Sequence, residues 1–302
     1  MNAHEKAKAI GNMKSGKRRV SALTAYDYPT ARILDEVGVD MILVGDSLGM
    51  IVLGFPDITH FTLEMMVHHT AAVAWGVNNS LIIGDMPINS YDTPAQALNT
   101  AQALVQAGAD VVKLEGGIRQ LEKIRAIIEA DIPVIGHHGM LPQRVLEEGG
   151  YKKKGKTEEE SCAILEGALA LQQAGCFAIV LESIVPELAE QITAKLDIPT
   201  IGIGCKPASG EQTCDGEVAV ITDVIGGFSY ANDLSLFVEK TLGFLHVNGS
   251  FFTLLQDVHS EGGTNRPYYP GASFLTEIAN AGGSEMKVCA WLKSITCVEV
   301  TC

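Results

Sequence analysis

The chain has 302 residues, of which 47% are hydrophobic and 19% are charged. It can therefore bury a sizeable core and does not have the composition of a disordered protein. The net charge of −14, from 36 acidic against 22 basic residues, argues against a nucleic-acid-binding protein, because such a protein needs a basic face to neutralise phosphates.

The seven cysteines are widely spaced and include no C-x-x-C pair, which argues against both a disulfide framework and a structural zinc site. The first 18 residues lack the apolar core of a signal peptide, and no stretch reaches about 18 uninterrupted apolar residues. We expect a soluble, cytoplasmic protein without a membrane partner.

From residue 19 to about residue 221, short apolar runs alternate with longer segments of helical periodicity. The apolar runs, typical of parallel strands covered on both faces, span residues 20–25, 41–45, 81–84, 111–114, 132–136, 177–181, 200–203 and 218–221. The predicted helices span residues 30–37, 63–75, 93–106, 118–130, 158–173 and 186–195. This alternation predicts an α/β fold, a closed (β/α)₈ TIM barrel, with an open doubly wound sheet as the alternative.

A faint internal repeat supports the series of βα units. Residues 36–40, 106–110 and 173–176 each end a helix with a glycine and then enter a strand. Glycine relieves the left-handed conformation that is needed directly after a helix. No G-x-G-x-x-G segment follows the first strand, so a nucleotide-binding open sheet has little support.

Polar residues end five of the predicted strands. They are Asp46, Asp85, Glu115, His137 and Glu182. In a parallel barrel these strand ends open at one face, where the active sites of this fold are found. The alternative is that each acid caps the following helix, which a single strand-end aspartate often does. Five such residues at successive strand ends favour a site.

Crowded carboxylates repel one another, and a hard divalent cation relieves that repulsion. The ligand candidates for Mg²⁺ are Asp46 and Asp85, with Glu115 either a third ligand or a holder of coordinated water. His137 beside these carboxylates would also fit a softer metal such as Zn²⁺ or Mn²⁺.

Lys113 precedes Glu115 by two residues, so both side chains should point to the same side of their strand. If that side is the barrel interior, Lys113 can stabilise a carboxylate or an enolate oxygen. Ser47 lies in a Gly-bracketed turn and either donates to a bound carboxylate or is a simple turn serine. The basic loop at residues 149–156 is either a lid that contacts an anionic cosubstrate or a solvated charge run.

These segments resemble the ketopantoate hydroxymethyltransferase family. The matching motifs are TAYDYPTA (24–31), VGDSLGM (44–50), HHTAAV (68–73), DMP (85–87), KLEGG (113–117), GHHGMLPQ (136–143), GGYK (149–152), IVLES (179–183) and IGIG (201–204). The resemblance covers about residues 14–226 and is specific because no single motif carries it.

The resemblance implies a barrel of the phosphoenolpyruvate/pyruvate type. It implies Mg²⁺ on Asp46 and Asp85 with Glu115 close by. It also implies keto-acid contacts from Ser47, Lys113 and His137, to which we add Asp85, and Glu182 as the catalytic base.

The reaction that the resemblance implies is transfer of a one-carbon unit from 5,10-methylenetetrahydrofolate to 3-methyl-2-oxobutanoate. A metal-stabilised enolate would give 2-dehydropantoate for pantothenate and coenzyme A biosynthesis. A homodecamer is the oligomer expected by resemblance.

The chain departs from the family's pattern in two places. The turn at residues 204–216 is longer than usual and carries Cys205 and Cys214, which we expect to be free thiols rather than a disulfide. From Gly227 onward the resemblance is weak. We therefore divide the chain into an N-terminal segment (1–18), the catalytic barrel (19–274) and an atypical C-terminal extension (275–302).

Two other functions are alternatives to this reaction, namely an oxyacid lyase or mutase and an inactive binding barrel. Lyases and mutases of oxyacids share this barrel and metal, but they commonly carry a reactive cysteine in a loop where this chain has EGG (115–117) and GHH (136–138). An inactive binding barrel is disfavoured because every proposed ligand and the proposed base are present.

Overall fold

Eight parallel strands close into a barrel in chain order, with the last strand paired to the first. The computed structural model describes residues 1–225, of which Met1–Thr222 form one compact unit. The strands are β1 (Val20–Thr24), β2 (Met41–Val44), β3 (Leu81–Asp85), β4 (Val111–Glu115), β5 (Val134–Gly139), β6 (Ala178–Glu182), β7 (Thr200–Ile203) and β8 (Gly216–Ala219). The predicted TIM barrel is confirmed, and the alternative prediction of an open doubly wound sheet is wrong. The predicted domain boundary at 274/275 lies outside the described residues.

The helices of the described residues are α1 (Ala3–Ser15), α2 (Tyr28–Val37), α3 (Leu48–Ile51), α4 (Leu63–Ala74), α5 (Pro94–Gln106), α6 (Leu121–Glu129), α7 (Glu158–Gln173), α8 (Pro186–Lys195) and α9 (Ile221–Ile225). Those from α2 to α8 connect consecutive strands of the barrel. None of the helices in this part of the chain has the length and apolar character needed to span a bilayer.

Alternate residues of each strand fill the barrel interior, as the two-residue period of a strand requires. The interior contains buried apolar side chains from all eight strands and from α1: Ala7, Ile10, Val20, Ala22, Met41, Leu43, Leu81, Ile83, Val111, Ile135, Ala178, Val180, Ile201 and Val218. The same alternation continues along β3, β4, β5 and β6 toward the C-terminal ends, where the inward positions become polar. The barrel thus has an apolar lower part and a polar mouth.

Helix α1, which the sequence did not predict, lies across the N-terminal end of the barrel. Its N-cap is Asn2, and its buried face contributes to the interior. The Lys6 ammonium contacts Asp110 at 2.8 Å, and the Lys14 ammonium contacts Asp215 at 2.8 Å. Both aspartates directly precede strands, so two partly buried ion pairs fasten α1 over this end.

Two strands begin two residues away from their predicted starts, whereas the other strands differ by at most one residue at either end. β5 begins at Val134 rather than at residue 132, because Ile132 completes the end of α6 through a hydrogen bond to Ile127 and Pro133 has no N–H to donate. It then runs on through both histidines. β8 begins two residues early, at Gly216, where it pairs with Val20 and Ile201.

The glycines of the internal repeat occupy the predicted conformation. Gly38 and Gly108 follow α2 and α5 with φ angles of +83° and +109°. A Cβ on Gly108 would lie 2.4 Å from the Cβ of Ala74, whereas one on Gly38 would meet no atom within 4 Å. Gly108 is therefore required both for its backbone angle and for the close approach of α4.

Candidate active site

The five polar residues predicted to converge do so at the mouth of the barrel. Asp85, Glu115 and Glu182 are the last residues of β3, β4 and β6, while Asp46 follows β2 by two residues and His137 lies within β5. All five lie near the C-terminal ends of their strands, and the backbone N–H of Asp46 donates to Asp85 Oδ2 at 3.4 Å.

The first contact joins Lys113 to Asp85. These residues are register partners on β4 and β3, and the ammonium lies 2.6 Å from Asp85 Oδ1. Both side chains are almost fully buried. Lys113 therefore points into the barrel, whereas the spacing to Glu115 predicted only that the two side chains share one side of the strand.

The second group of contacts centres on Gln143, which sequence reasoning did not single out. Its side-chain amide donates to Asp46 Oδ2 at 2.8 Å and to the Met86 carbonyl at 3.0 Å, and its backbone N–H donates to Glu115 Oε1 at 2.8 Å. The Tyr91 hydroxyl donates to the amide oxygen of Gln143. Gln143 thus holds two of the carboxylates in place.

The only available sequence signal for Gln143 was its place in the GHHGMLPQ segment (136–143). It lies 97 residues from Asp46 along the chain. Gln143 does not end a strand, because it lies in a short 3₁₀ turn after β5, Pro142–Arg144. A search for polar residues at strand ends therefore does not find it.

The third contact places His137 between two carboxylates. Its Nδ1 lies 3.4 Å from Glu115 and its Nε2 lies 3.4 Å from Glu182. Burial lowers the pKa of His137 well below its usual value, and the positive charge of Lys113 adds to that shift. The imidazole is therefore neutral, and its contacts with the two carboxyl groups are not ion pairs. Neither ring nitrogen has a side-chain hydrogen-bond partner within the described residues.

Burial dominates the acidity of the carboxyl groups at the mouth. It raises the pKa of Asp46 and of Glu115, and Lys113 opposes the shift in both. Burial likewise raises the pKa of Asp85 to about 7 and of Glu182 to about 7, with Lys113 again opposing.

Lys113 is the cation that offsets this negative charge. Burial by itself would lower the pKa of Lys113, but Asp85, Asp46 and Glu115 together raise it above its usual value. The ammonium therefore remains charged at neutral pH. One lysine among four carboxyl groups leaves an excess of acid, which is the electrostatic setting for a divalent cation.

The donor set fits Mg²⁺, although not as a complete protein cage. Among residues 1–225, no group of three or more His, Cys, Asp or Glu side chains is arranged to hold a metal ion. Mg²⁺ commonly takes one or two carboxylates and fills its other positions with water and substrate. The buried Oδ1 of Asp85 has the Lys113 ammonium at 2.6 Å and no other polar partner within the described residues. Asp46 and Asp85 therefore offer oxygen ligands of the right kind.

The alternative that these acids cap helices is wrong. Ser47 is the N-cap of α3 and makes no side-chain capping bond, while Val185 precedes α8. The capping carboxylates of the described helices lie elsewhere, at Asp27 and Asp57. The mouth carboxylates are therefore free of that local role.

Ser47 and two histidines of the family motifs, His69 and His138, take different places. Ser47 shares a hydrogen bond of 3.0 Å with the Tyr26 hydroxyl beside Asp46. His138 points outward, where it packs against Gly167 of α7, so only one of the adjacent histidines faces the mouth. His69 bonds the Tyr26 carbonyl at 2.7 Å, which is a packing role.

The basic loop at residues 149–156 lies beside the end of β6. Lys154 donates its backbone N–H to Ser183, directly after Glu182, and its ammonium pairs with Glu148 at 2.8 Å. Its contact with a cosubstrate stays a prediction. A separate cavity of about 420 Å³ lies between residues 59–63 and 88–100, and none of the predicted site residues lines it.

Comparison with known proteins identifies the family. A family model described as ketopantoate hydroxymethyltransferase matches residues 5–247. The 3-methyl-2-oxobutanoate hydroxymethyltransferase of Dehalococcoides mccartyi (strain CBDB1) is 46% identical over 255 residues, covering 83% of this chain and 88% of that protein. The enzyme of the same name from Ignicoccus hospitalis is 50% identical over 214 residues, covering 70% of this chain and 79% of that protein.

Solved structures support the fold. A putative phosphonomutase from Burkholderia cenocepacia J2315 superimposes with a TM-score of 0.59 at 18% identity, covering 82% of this chain and all of that one. A phosphonopyruvate hydrolase superimposes with a TM-score of 0.59 at 14% identity, covering 93% of this chain and 97% of that one. At these identities the likeness establishes the barrel alone.

Proposed function

This chain belongs to the ketopantoate hydroxymethyltransferase family, and we propose that it transfers a hydroxymethyl unit to 3-methyl-2-oxobutanoate, giving 2-dehydropantoate. The proposed one-carbon donor is 5,10-methylenetetrahydrofolate. The observation that carries the proposal is the placement of Glu182 in one buried cluster with Lys113, Asp46 and Asp85. A base and a positively charged group at one mouth are what removal of a proton beside a carbonyl requires.

Lys113 and Ser47 are the groups proposed to bind the oxo acid. The substrate is an anion that enters a negatively charged protein, so it needs a local positive charge, which the Lys113 ammonium provides at the floor of the mouth. The hydroxyl of Ser47 can donate to a carboxylate oxygen, with Tyr26 holding it in position. His137 is neutral and can donate one N–H to the substrate without adding charge.

Asp46 and Asp85, with Glu115 nearby, are the residues that would hold Mg²⁺. When bound, the cation supplies Lewis acidity that polarises the 2-oxo group and acidifies the adjacent C–H.

Glu182 is the proposed base for the C3 proton of the oxo acid. A general base works best with a pKa near the working pH, and burial raises the pKa of Glu182 to about 7. The side chain is about one-fifth exposed, so the carboxylate can meet a substrate at the opening. The Lys113 ammonium would then stabilise the negative charge that develops on the substrate oxygen.

The carbon nucleophile formed in this way attacks the methylene carbon of the folate and makes the new C–C bond. That methylene carbon carries no oxygen. The hydroxyl oxygen of the product therefore has to come from water, and the C–N bonds to the folate are broken. The mouth must therefore admit water at this stage.

The test is proton–deuterium exchange at C3 of 3-methyl-2-oxobutanoate, followed by NMR in D₂O with Mg²⁺ and without folate. We expect exchange that EDTA abolishes and Mg²⁺ restores. Absence of exchange from folded, Mg²⁺-supplied protein would refute the proposed substrate and direct attention to another oxyacid.

The variant Glu182→Gln tests the base separately. It should bind the oxo acid but lose exchange by a factor of about 100 or more, the usual contribution of a general base. Glu190→Gln, at an exposed position on α8, is the matched control and should exchange at the normal rate. If Glu182→Gln retained exchange while binding substrate, the base would have to be another residue.

A further inference from the structure

Two cysteines pack against each other where the barrel lacks a covering helix. In the described residues, β7 and β8 are joined by an irregular segment, residues 204–215, and not by a helix. Cys205 and Cys214 lie near its two ends and are only 2% and 6% exposed. Neither has a role in the proposed reaction.

The two thiols share the space above Gly202 of β7. A Cβ built on Gly202 would lie 3.0 Å from Cys214 Sγ, 3.4 Å from Cys214 Cβ and 3.6 Å from Cys205 Cβ. The thiols of Cys205 and Cys214 are close enough for each to shift the pKa of the other. The β-carbons and sulfurs are therefore already gathered at one point of the outer layer.

Hydrogen bonds hold both cysteines in place, and the Arg19 guanidinium donates to the Cys214 carbonyl at 3.4 Å. Cys205 Sγ donates to the Leu181 carbonyl at 3.0 Å, and the Thr213 hydroxyl donates to the Cys205 carbonyl at 3.2 Å. Both cysteines are free thiols, as the sequence predicted.

We propose that Cys205 and Cys214 form a dithiol site that a low-molecular-weight disulfide oxidises to an intramolecular disulfide. The thiolate of Cys214 attacks one sulfur of the reagent, whose S–S bond breaks and releases one thiolate. The thiol of Cys205 then loses its proton and attacks Cys214 Sγ, which releases the second thiolate. The two protein thiols are oxidised and the reagent is reduced to two thiols.

The order of attack follows from the contact between the thiols. Cys205 keeps its proton because its thiol donates to the Leu181 carbonyl at 3.0 Å. The neighbouring thiol of Cys205 lowers the pKa of Cys214 to about 7, whereas Cys214 and burial raise the pKa of Cys205. The thiolate is the reactive form, so Cys214 is the first nucleophile and Cys205 the resolving thiol.

The reagent can approach through the exposed part of the segment. Ala208, Ser209 and Gly210 are exposed, and an ion pair between Lys206 and Glu217 closes the segment onto β8. The other buried thiol of the described residues, Cys176, has no such neighbour, and burial raises its pKa to about 12. It serves as the internal control.

The experiment treats the reduced full-length protein with oxidised glutathione, blocks the remaining thiols by alkylation and maps the peptides by mass spectrometry. Cleavage at Glu211, which lies between the two cysteines, yields two peptides that only a Cys205–Cys214 disulfide keeps together. We expect this linked pair, about 2 Da lighter than the sum of the reduced peptides, and its loss after dithiothreitol. Linkage of either cysteine to another partner, or no reaction of either, would overturn the proposal.

Two variants test the order of attack. Cys205→Ser, which keeps a polar hydrogen beside Cys214, should stop at a mixed disulfide on Cys214, whereas Cys214→Ser should form a mixed disulfide on Cys205 at least about tenfold more slowly, following the thiolate fraction. Cys176→Ala should form the intramolecular disulfide at the normal rate. If either serine variant fails to fold, brief treatment of the wild type followed by acid quenching shows which cysteine carries the first adduct. Equal rates of adduct formation at the two positions would refute the assigned order.

Discussion

Replacement of Gln143 by leucine isolates the side chain that ties the carboxylates together. Leucine has a similar volume but neither donates nor accepts hydrogen bonds. In Gln143→Leu the carboxylate of Asp46 and the Met86 carbonyl lose their donor, and the Tyr91 hydroxyl loses its acceptor. The backbone N–H that serves Glu115 is retained.

The expected loss can be worked out from these contacts. A buried hydrogen bond to a charged group contributes about 1.5–3 kcal/mol and one between neutral groups about 1 kcal/mol. Because Gln143 is almost fully buried, water cannot replace the lost partners. We therefore expect the free energy of unfolding to fall by about 3 kcal/mol, and Mg²⁺ affinity to fall by roughly 10- to 100-fold through the freed Asp46.

Urea unfolding followed by circular dichroism measures the first effect, and calorimetric titration with Mg²⁺ the second. Gln172→Leu is the matched control: this glutamine also makes several hydrogen bonds, to residues 197 and 198, but near the surface. It should lose less than about 1 kcal/mol, because water replaces the lost bonds. If Gln143→Leu were no less stable than Gln172→Leu, Gln143 would not be the organising contact of the site.

Three further outcomes are expected. Lys14→Met should lower the free energy of unfolding by about 2 kcal/mol, since it leaves Asp215 partly buried without its cation; a change below about 0.5 kcal/mol in urea unfolding would contradict the fastening of α1. The pKa of Asp35 is lowered in the folded protein, because backbone hydrogen bonds outweigh the effect of burial. The Asp35 carboxylate therefore stabilises the fold above the unfolded-state pKa of about 3.9, and this stabilisation is lost as the pH falls through the folded-state pKa. The stability difference between the wild type and Asp35→Asn should therefore shrink on acidification below pH of about 4, and a difference that stays constant in pH-dependent melting would refute this. Gly108→Ala should destabilise by at least about 1 kcal/mol more than Gly38→Ala in thermal melts, because only the former adds a steric clash to the positive φ.

The sequence predicted the barrel because parallel strands and their helices leave a repeated local pattern. β7, α7 and α8 begin and end at their predicted residues. The predictions were wrong where a local rule and a tertiary contact competed. Pro133 delayed β5, and pairing to β1 and β7 advanced β8. The sequence did not predict helix α1, because its polar composition gives no strong apolar period. The role of Lys6 and Lys14 depends on aspartates that are distant in the sequence.

The site was predictable to the extent that strand ends define it. Asp85, Glu115 and Glu182 could be placed at one mouth because the C-terminal ends of parallel strands meet there. Gln143 and Tyr91 could not, since both lie in loops whose course depends on the finished barrel. The neutral state of His137 is likewise a product of burial, which a linear pattern does not reveal.

The position of α1 across the N-terminal end of the barrel determines where small molecules can enter and leave the site. Within residues 1–225, α1 closes the N-terminal end of the barrel, so small molecules reach Lys113 and Asp85 through the mouth. In the proposed reaction, the oxo acid and the folate both enter through this mouth, and an oxo acid held at Lys113 would lie deeper than the folate. An ordered mechanism would follow, in which the oxo acid binds before the folate and the product leaves after tetrahydrofolate.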